Sequence, residues 1–284
     1  MNILFIYNPR SGKGLKPSKL ENIKKLLGEK SSHFEFRLCE NLGQLYQVLS
    51  EPLDIYDILV FAGGDGTFHH VVNALSAREH RPTLGIIPCG TLNDASKNYG
   101  YNRRISRCID IILNGVTKPI DVFKVNNQYG IFSLSVGTFS DIPYKAKRSG
   151  KKRFRVLSYY GLAIKSLFRK GRISGNVILN NEKHLYFEAP FLLMLNSRYM
   201  GGFKINKKAK LDDGLADLLY TKKGWFNGLY RYFLRPKKVT RLAFSRAEIS
   251  LDNTYSWDID GEEFQAQKVE IQVLKNHLKI LAKR

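Results

Sequence analysis

Apolar runs and polar breaks follow one another regularly from residue 2 to about residue 115. Residues 2–7 (Asn-Ile-Leu-Phe-Ile-Tyr) form an apolar run closed by Asn8-Pro9, which predicts a strand. Leu20, Ile23, Leu26 and Leu27 recur at helical spacing, so a helix is expected over Ser18–Leu27, with Ser18 as its N-cap. His33–Cys39 alternate as a strand, and Leu42–Leu49 read as a helix. Ile58–Ala62 is again a continuous apolar run, after which Phe68, Val71, Val72 and Leu75 repeat at helical spacing. Leu84–Pro88 is a further short strand, and a helix from about Arg103 to Leu113 carries Ile105, Cys108, Ile109, Ile112 and Leu113 on one face. Strands alternating with helices in this way predict a parallel sheet covered by helices.

From about residue 116 the period changes. Val122, Tyr129–Val136, Asn176–Leu179, Leu185–Leu195, Ala216–Tyr220, Ala247–Leu251, Tyr255–Ile259 and Val269–Val273 read as strands separated by turns. Two stretches, about 154–170 and 225–234, read as helices. The expected architecture is therefore α/β: an N-terminal parallel-sheet nucleotide-binding domain over 1–120, and a C-terminal β-rich, sandwich-like domain over 121–284. The last residues are expected to pack back on the first domain.

Composition narrows the class. With 284 residues, 43% hydrophobic and 12% aromatic, the chain has enough apolar material for such a core. No apolar run approaches the ~20 residues that span a bilayer. The N-terminal residues carry no basic leader or small-residue cleavage site, and Cys39, Cys89 and Cys108 have neither disulfide nor metal-ligand spacing. A cytoplasmic protein is expected. The charge is the outlier, with 46 Lys+Arg against 25 Asp+Glu for a formal +21. Such an excess draws a protein toward nucleic acid or an anionic membrane face. Residues 145–155 contain seven cations and no acid, while Lys207, Lys208 and Lys210, then Arg235, Lys237 and Lys238, form smaller clusters. Trp225, Phe226 and Tyr230 supply rings suited to a headgroup layer. No nucleic-acid reading module is present, so charge supports a nucleic-acid role only weakly; a simply solvated basic surface and peripheral contact with the inner face of an anionic membrane both stay open.

Three polar loops follow strands: Asn8-Pro9-Arg10-Ser11-Gly12-Lys13-Gly14, Gly63-Gly64-Asp65-Gly66-Thr67, and Cys89-Gly90-Thr91-Leu92-Asn93-Asp94. A turn with almost no side chains before a helix lets phosphate oxygens reach bare backbone N–H groups, and the helix dipole favours their charge. Asp65 would repel a phosphate unless a cation shared the site, which implies a nucleotide bound with Mg²⁺. The dinucleotide fingerprint fails at His69, and no GxxxxGK[ST] occurs. Each loop alone also reads as ordinary turn chemistry. All three, however, end strands of one parallel sheet, where such sheets bind their ligands.

These loops resemble those of the diacylglycerol kinase catalytic-domain family, which includes bacterial soluble lipid kinases and the related sphingosine and ceramide kinases. The likeness continues through Gly201-Gly202-Phe203, Leu211-Asp212-Asp213-Gly214-Leu215 and Asp260-Gly261-Glu262. It implies an ATP- and Mg²⁺-dependent lipid kinase, most simply one converting diacylglycerol to phosphatidic acid. By resemblance, Asn8, Pro9, Arg10, Ser11, Gly12, Cys39, Gly63, Gly64, Asp65, Gly66, Thr67, Phe68, His69 and Thr91 hold the nucleotide. Asp65, Asp94 and Asp121 would organise a Mg²⁺–water network. Asp213, with the carbonyls of Lys210 and Leu215, matches a structural Mg²⁺ site. Glu262 matches the general base, on the second domain, so the reaction is expected in the cleft between domains. Phosphoryl transfer asks for these parts: positioning, charge neutralisation and one base.

The chain departs from the family pattern at His69-His70 (commonly Asn-Glu), Cys39 (commonly threonine), Ala95-Ser96-Lys97 and Lys207. Other readings carry the same fold: a different lipid acceptor (sphingoid, ceramide, phosphatidylglycerol), an NAD kinase-like enzyme, or a catalytically weak membrane-binding module.

Overall fold

The computed structural model describes residues 1–137, 172–220 and 239–284. The chain divides into two compact units. One comprises Met1–Asp121, Tyr199–Ile205 and Asn276–Arg284; the other comprises Val122–Arg198 and Asn206–Lys275.

In the first unit, β1 (Asn2–Tyr7), α1 (Pro17–Glu29), β2 (His33–Leu38), α2 (Leu42–Ser50), β3 (Ile58–Gly63), α3 (Asp65–Ser76), β4 (Thr83–Pro88), α4 (Asp94–Lys97) and α5 (Ile105–Asn114) succeed one another. Strands β2, β1, β3 and β4 lie side by side and parallel, with registers such as Phe5↔Phe36, Phe5↔Val60 and Val60↔Gly85. Ile280, near the chain's end, extends the sheet by pairing in parallel with Leu84. Continuous apolar strands are what a sheet covered on both faces requires, and Ile3–Ile6 and Leu59–Ala62 are all buried. Helix α1 packs beside α5, and α2 beside α3. Phe68, Val71, Val72 and Leu75 are buried along one stripe of α3, and Phe68 stacks on Phe61 with ring centroids 5.1 Å apart. Each such side chain contributes roughly 1.5–3 kcal/mol by leaving water.

Helix α1 starts at Pro17, so Ser18 is not its N-cap. Lys16 takes that place without a side-chain capping bond. Proline at the first position, with φ already set and no N–H to satisfy, fixes the start instead. Helix α2 has a side-chain cap: Asn41 Oδ1 accepts from Gln44 N at 2.9 Å.

The second unit is antiparallel. After β5 (Val116–Val125) come β6 (Gln128–Gly130), β7 (Ser133–Gly137), β8 (Ile173–Leu179), β9 (Lys183–Ala189), β10 (Phe191–Leu195), β11 (Ala216–Tyr220), β12 (Thr240–Phe244), β13 (Arg246–Ile259) and β14 (Glu262–Ala282). The order β12-β11-β10-β7-β13-β14 forms the main ladder, and β8 with β9 branches off the first half of β13. Trp257, Phe123, Phe187, Phe244 and their aliphatic neighbours form its core.

Several strand expectations are corrected here. The stretch 129–136 breaks at Ile131–Phe132, and 185–195 breaks at Pro190, which has no N–H for a ladder. The segments expected at 247–251 and 255–259 are one strand. The exposed Asp252-Asn253-Thr254 are absorbed as a register irregularity between Ser250 and Tyr255. Strand β14 is far longer than 269–273, and β12 was not expected at all. The cluster at 145–155, the expected helices at 154–170 and 225–234, and Arg235, Lys237 and Lys238 lie outside the described residues.

Candidate active site

The glycine turn ends β3 and opens α3. Gly64 is the N-cap in extended backbone, and the first helical bond is Phe68 N to Gly64 O at 3.0 Å. The N–H groups of the preceding turn therefore have no partner within the helix and point along its positive end.

Three loops meet at this point. Asn8 N donates to Ala62 O at 3.0 Å, and Cys89 N donates to Gly63 O at 2.7 Å. A Cβ on Gly64 would lie 2.9 Å from Gly90 Cα, and one on Gly12, at φ +58, would lie 2.1 Å from Cys89 O. Only glycine permits such backbone contact. Thr67 is the tie. Its buried Oγ1 accepts from Asn8 Nδ2 at 3.3 Å and lies 3.0 Å from Ser11 Oγ. Asn8 Oδ1 in turn accepts from Arg10 N at 3.0 Å, shaping Pro9 and Arg10 into a local turn.

The carboxylates are each engaged by the backbone. Asp65 Oδ1 accepts from Ala95 N at 3.0 Å, across 30 residues. Part of Asp65 still touches solvent, but its carboxyl is enclosed by protein. Burial, reinforced by the neighbouring Asp94 charge, pushes its pKa up to about 6, against the pull of the amides of residues 93–95. Asp94 is buried, with Lys97 Nζ 2.9 Å from Oδ1 and Gly202 N donating to Oδ2 at 2.8 Å. Asp121, also buried, accepts from Asn276 N at 2.8 Å. Among the described residues, no group of three His, Cys, Asp or Glu side chains converges to ligate one ion directly.

The other expected residues vary in placement. Thr91 is exposed, and its carbonyl, like that of Gly90, accepts from Arg103 Nη2 (2.7 and 3.2 Å). Cys39 follows β2, its N bonded to Tyr7 O at 2.8 Å, and its thiol is buried with its pKa raised by that burial. His69 is buried, with Asn73 Nδ2 3.1 Å from its Nε2. His70 instead meets Tyr46 on α2, Oη to Nδ1 at 3.0 Å.

In the second unit, Glu262 is the first residue of β14 and pairs with Ile259 across a hairpin turn. Asp213 Oδ1 accepts from Leu215 N at 3.1 Å, beside the exposed Lys210 and Leu215 and a left-handed Gly214 (φ +80).

No site role was assigned to Asn93 or Arg103 from the sequence, although Asn93 stands within the Gly90–Asp94 motif. Asn93 has left-handed backbone (φ 55) and Nδ2 donates to Gly90 O at 2.9 Å. That orientation leaves Oδ1, in a side chain only 6% exposed, with no hydrogen-bond partner. A buried acceptor without a donor costs about 1–3 kcal/mol. An asparagine between glycine and aspartate in a polar loop was the available signal, but it reads as turn chemistry until the fold buries it.

The arrangement fits a nucleotide with its divalent cation. The α3 N-terminus offers bare amides to phosphate. The orphaned Asn93 Oδ1 and the nearby carboxylates are hard oxygens of the kind Mg²⁺ prefers, directly or through water.

A parallel α/β unit with a glycine-lined phosphate turn, joined in sequence to an antiparallel β unit, is a nucleotide-dependent kinase architecture. The same fold is seen in a crystal structure of a diacylglycerol kinase from Bacillus anthracis, at a TM-score of 0.81 and 22% identity, covering 99% of this chain and 97% of that one. Residues 2–125 match the family described as diacylglycerol kinase catalytic domain. A diacylglycerol kinase of Bacillus subtilis is 28% identical over 278 residues, covering 90% of this chain and 91% of the relative. One from Staphylococcus epidermidis is 31% identical over 222 residues, covering 77% and 69%. The chain belongs to the diacylglycerol kinase family, and its enzymatic class is that of ATP-dependent lipid kinases.

Proposed function

We propose that this protein transfers the γ-phosphate of ATP to the free hydroxyl of diacylglycerol, forming phosphatidic acid. The observation that carries this reading is the meeting of the Gly12, Gly64 and Gly90 loops at the α3 N-terminus, at distances that exclude any side chain. It supports a site built for a polyphosphate rather than for a turn alone.

In this reading the amides at the α3 N-terminus receive the phosphates, and Asn8, Ser11 and Thr67 hold the loop that closes over them. Mg²⁺, when bound, neutralises phosphate charge; Asp65, Asp94, Asp121 and Asn93 Oδ1 are the oxygens in this chain that would hold it or its waters. Asp213 with the carbonyls of Lys210 and Leu215 would hold a second, structural ion. Glu262 takes the proton from the lipid hydroxyl as that oxygen attacks the γ-phosphate. Cations on the first-named cluster, 145–155, and at Lys207, Lys208 and Lys210 hold the enzyme to anionic membrane at ~1 kcal/mol each. The unit of Met1–Asp121, Tyr199–Ile205 and Asn276–Arg284, rather than residues 1–120 alone, would then bind the nucleotide, and the unit of Val122–Arg198 and Asn206–Lys275 would activate the acceptor.

Labelled ATP offered with diacylglycerol, monoacylglycerol, ceramide, sphingosine, phosphatidylglycerol or NAD tests the acceptor; diacylglycerol is expected to be labelled fastest. Glu262→Gln is expected to lose at least ~100-fold in turnover while still binding ATP. Normal turnover in that variant would remove Glu262 as the base.

A further inference from the structure

We infer that Asp260 is a positioning residue, which locks the hairpin carrying Glu262 onto the strand beside it; this rests on the reading of Glu262 as the base. Asp260 and Gly261 alone connect β13 to β14, both with positive φ (53 and 95), the backbone of a tight primed turn. Any residue tolerant of left-handed backbone, asparagine included, satisfies such a turn. The side chain does more than the turn demands. Asp260 Oδ2 accepts from Ile131 N at 2.7 Å, while Oδ1 accepts from Phe132 N at 3.0 Å and Ser133 N at 2.9 Å. Its own N–H donates to Ser133 O at 3.0 Å. The residue is 5% exposed, so these bonds act with little competition from water.

Ile131 and Phe132 are the residues where the expected single strand breaks between β6 and β7, and Ser133 opens β7. Three consecutive N–H groups turn toward one carboxylate there. The β13–β7 ladder ends at Ile259↔Leu134, and Asp260 continues it by one backbone bond and three charge-assisted ones. At Gly130 a Cβ would lie 2.6 Å from Ile259 Cγ1 and 3.2 Å from Asp260 Oδ2, so the two segments are pressed together. On the other side of the turn, Gly261 N donates to Asp258 Oδ1 at 3.1 Å. The backbone of Glu262 therefore leaves a turn anchored at both of its residues. A base must be placed within a fraction of an ångström of the hydroxyl it serves, and a displacement near 1 Å costs about 100-fold in rate.

Asp260→Asn separates the two demands. It keeps a left-handed turn residue and the Oδ1 acceptor, but sets an NH₂ group against the N–H of Ile131. We expect kcat to fall roughly 10- to 100-fold, with KM for ATP and for diacylglycerol within about twofold of wild type. Hydrogen exchange at Ile131–Ser133 should accelerate in the same variant. Asn180 provides the control: Oδ1 accepts from Ser245 N and Arg246 N (2.9 and 3.2 Å) at another left-handed turn of the same unit, φ 54. Asn180→Gly removes that clamp without backbone strain and should leave kcat unchanged. An equal fall in kcat in both variants would mean general loosening and would overturn the inference. So would wild-type kcat in Asp260→Asn beside an inactive Glu262→Gln. Full turnover in Glu262→Gln removes the base itself, and with it the role assigned to Asp260.

Discussion

Asp65 Oδ1 accepts the backbone N–H of Ala95 at 3.0 Å, so the carboxylate at the head of α3 caps the start of α4. The two glycine loops are thus held by one side chain as well as by the contact between Gly64 and Gly90. Asp65 acts on its neighbours even before any ligand arrives.

That placement has a pH signature in the free protein. The folded-state pKa of Asp65 is raised from the ordinary 3.8 to about 6. In that interval the unfolded chain has released its proton and the folded chain still holds it, so stability falls as pH rises. The full interval corresponds to roughly 3 kcal/mol. Asp65→Asn carries no charge at any pH, so its thermal midpoint should rise relative to wild type between pH 4 and 7, measured without nucleotide. A constant difference across that range would show that Asp65 titrates normally.

Gly12 is predicted to tolerate nothing larger. Its φ of +58 and the 2.1 Å approach of a Cβ to Cys89 O leave no room to relax, because the obstruction is backbone. Gly12→Ala should cost about 2 kcal/mol or more in denaturant titration and raise KM for ATP at least tenfold.

Thr67 joins loop and helix through one hydroxyl. Thr67→Val keeps the shape but strands Asn8 Nδ2 and Ser11 Oγ, at a cost of about 1–3 kcal/mol. KM for ATP should rise more than kcat falls, and Thr67→Ser should restore most of the loss. If Thr67→Val bound ATP normally, the loop would not depend on this tie.

The proposed membrane contact, if driven by 46 Lys+Arg against 25 Asp+Glu, must weaken with salt. Co-sedimentation with vesicles containing phosphatidylglycerol should exceed that with neutral phosphatidylcholine vesicles at least tenfold at low salt, and the difference should shrink sharply toward 1 M NaCl. Equal binding to both lipids would exclude the electrostatic contact.

The first unit was legible because its signals are local. Apolar runs such as Ile58–Ala62 and the stripe Phe68, Val71, Val72 and Leu75 reflect a sheet buried under helices, and period alone identifies them. The loops after β1, β3 and β4 stood out for the same reason: each glycine cluster alone reads as a turn, but three of them at the carboxyl ends of one parallel sheet converge. The β unit was read less well. Its strand ends depend on partners far away in sequence: Pro190, without an N–H, divides β9 from β10, whereas the polar Asp252–Thr254 divide nothing because a bulge absorbs them.

His69 and His70 mark the same divide within the site. As two adjacent letters they were one departure from a family pattern, yet the helix sends His69 into a buried contact with Asn73 and His70 out to Tyr46. By itself the sequence determined the alternating strands and helices of the first unit and marked the loops that close onto one another through glycine, because those follow from periodicity and from a missing side chain. Only the tertiary structure decided what each polar atom faces. Asp65 meets an amide 30 residues away, Asn93 Oδ1 is left buried without a donor, and Asp260 gathers three amides from Ile131–Ser133. Hydrogen bonds are made in space between distant residues, and no pattern along the chain encodes which ones will meet.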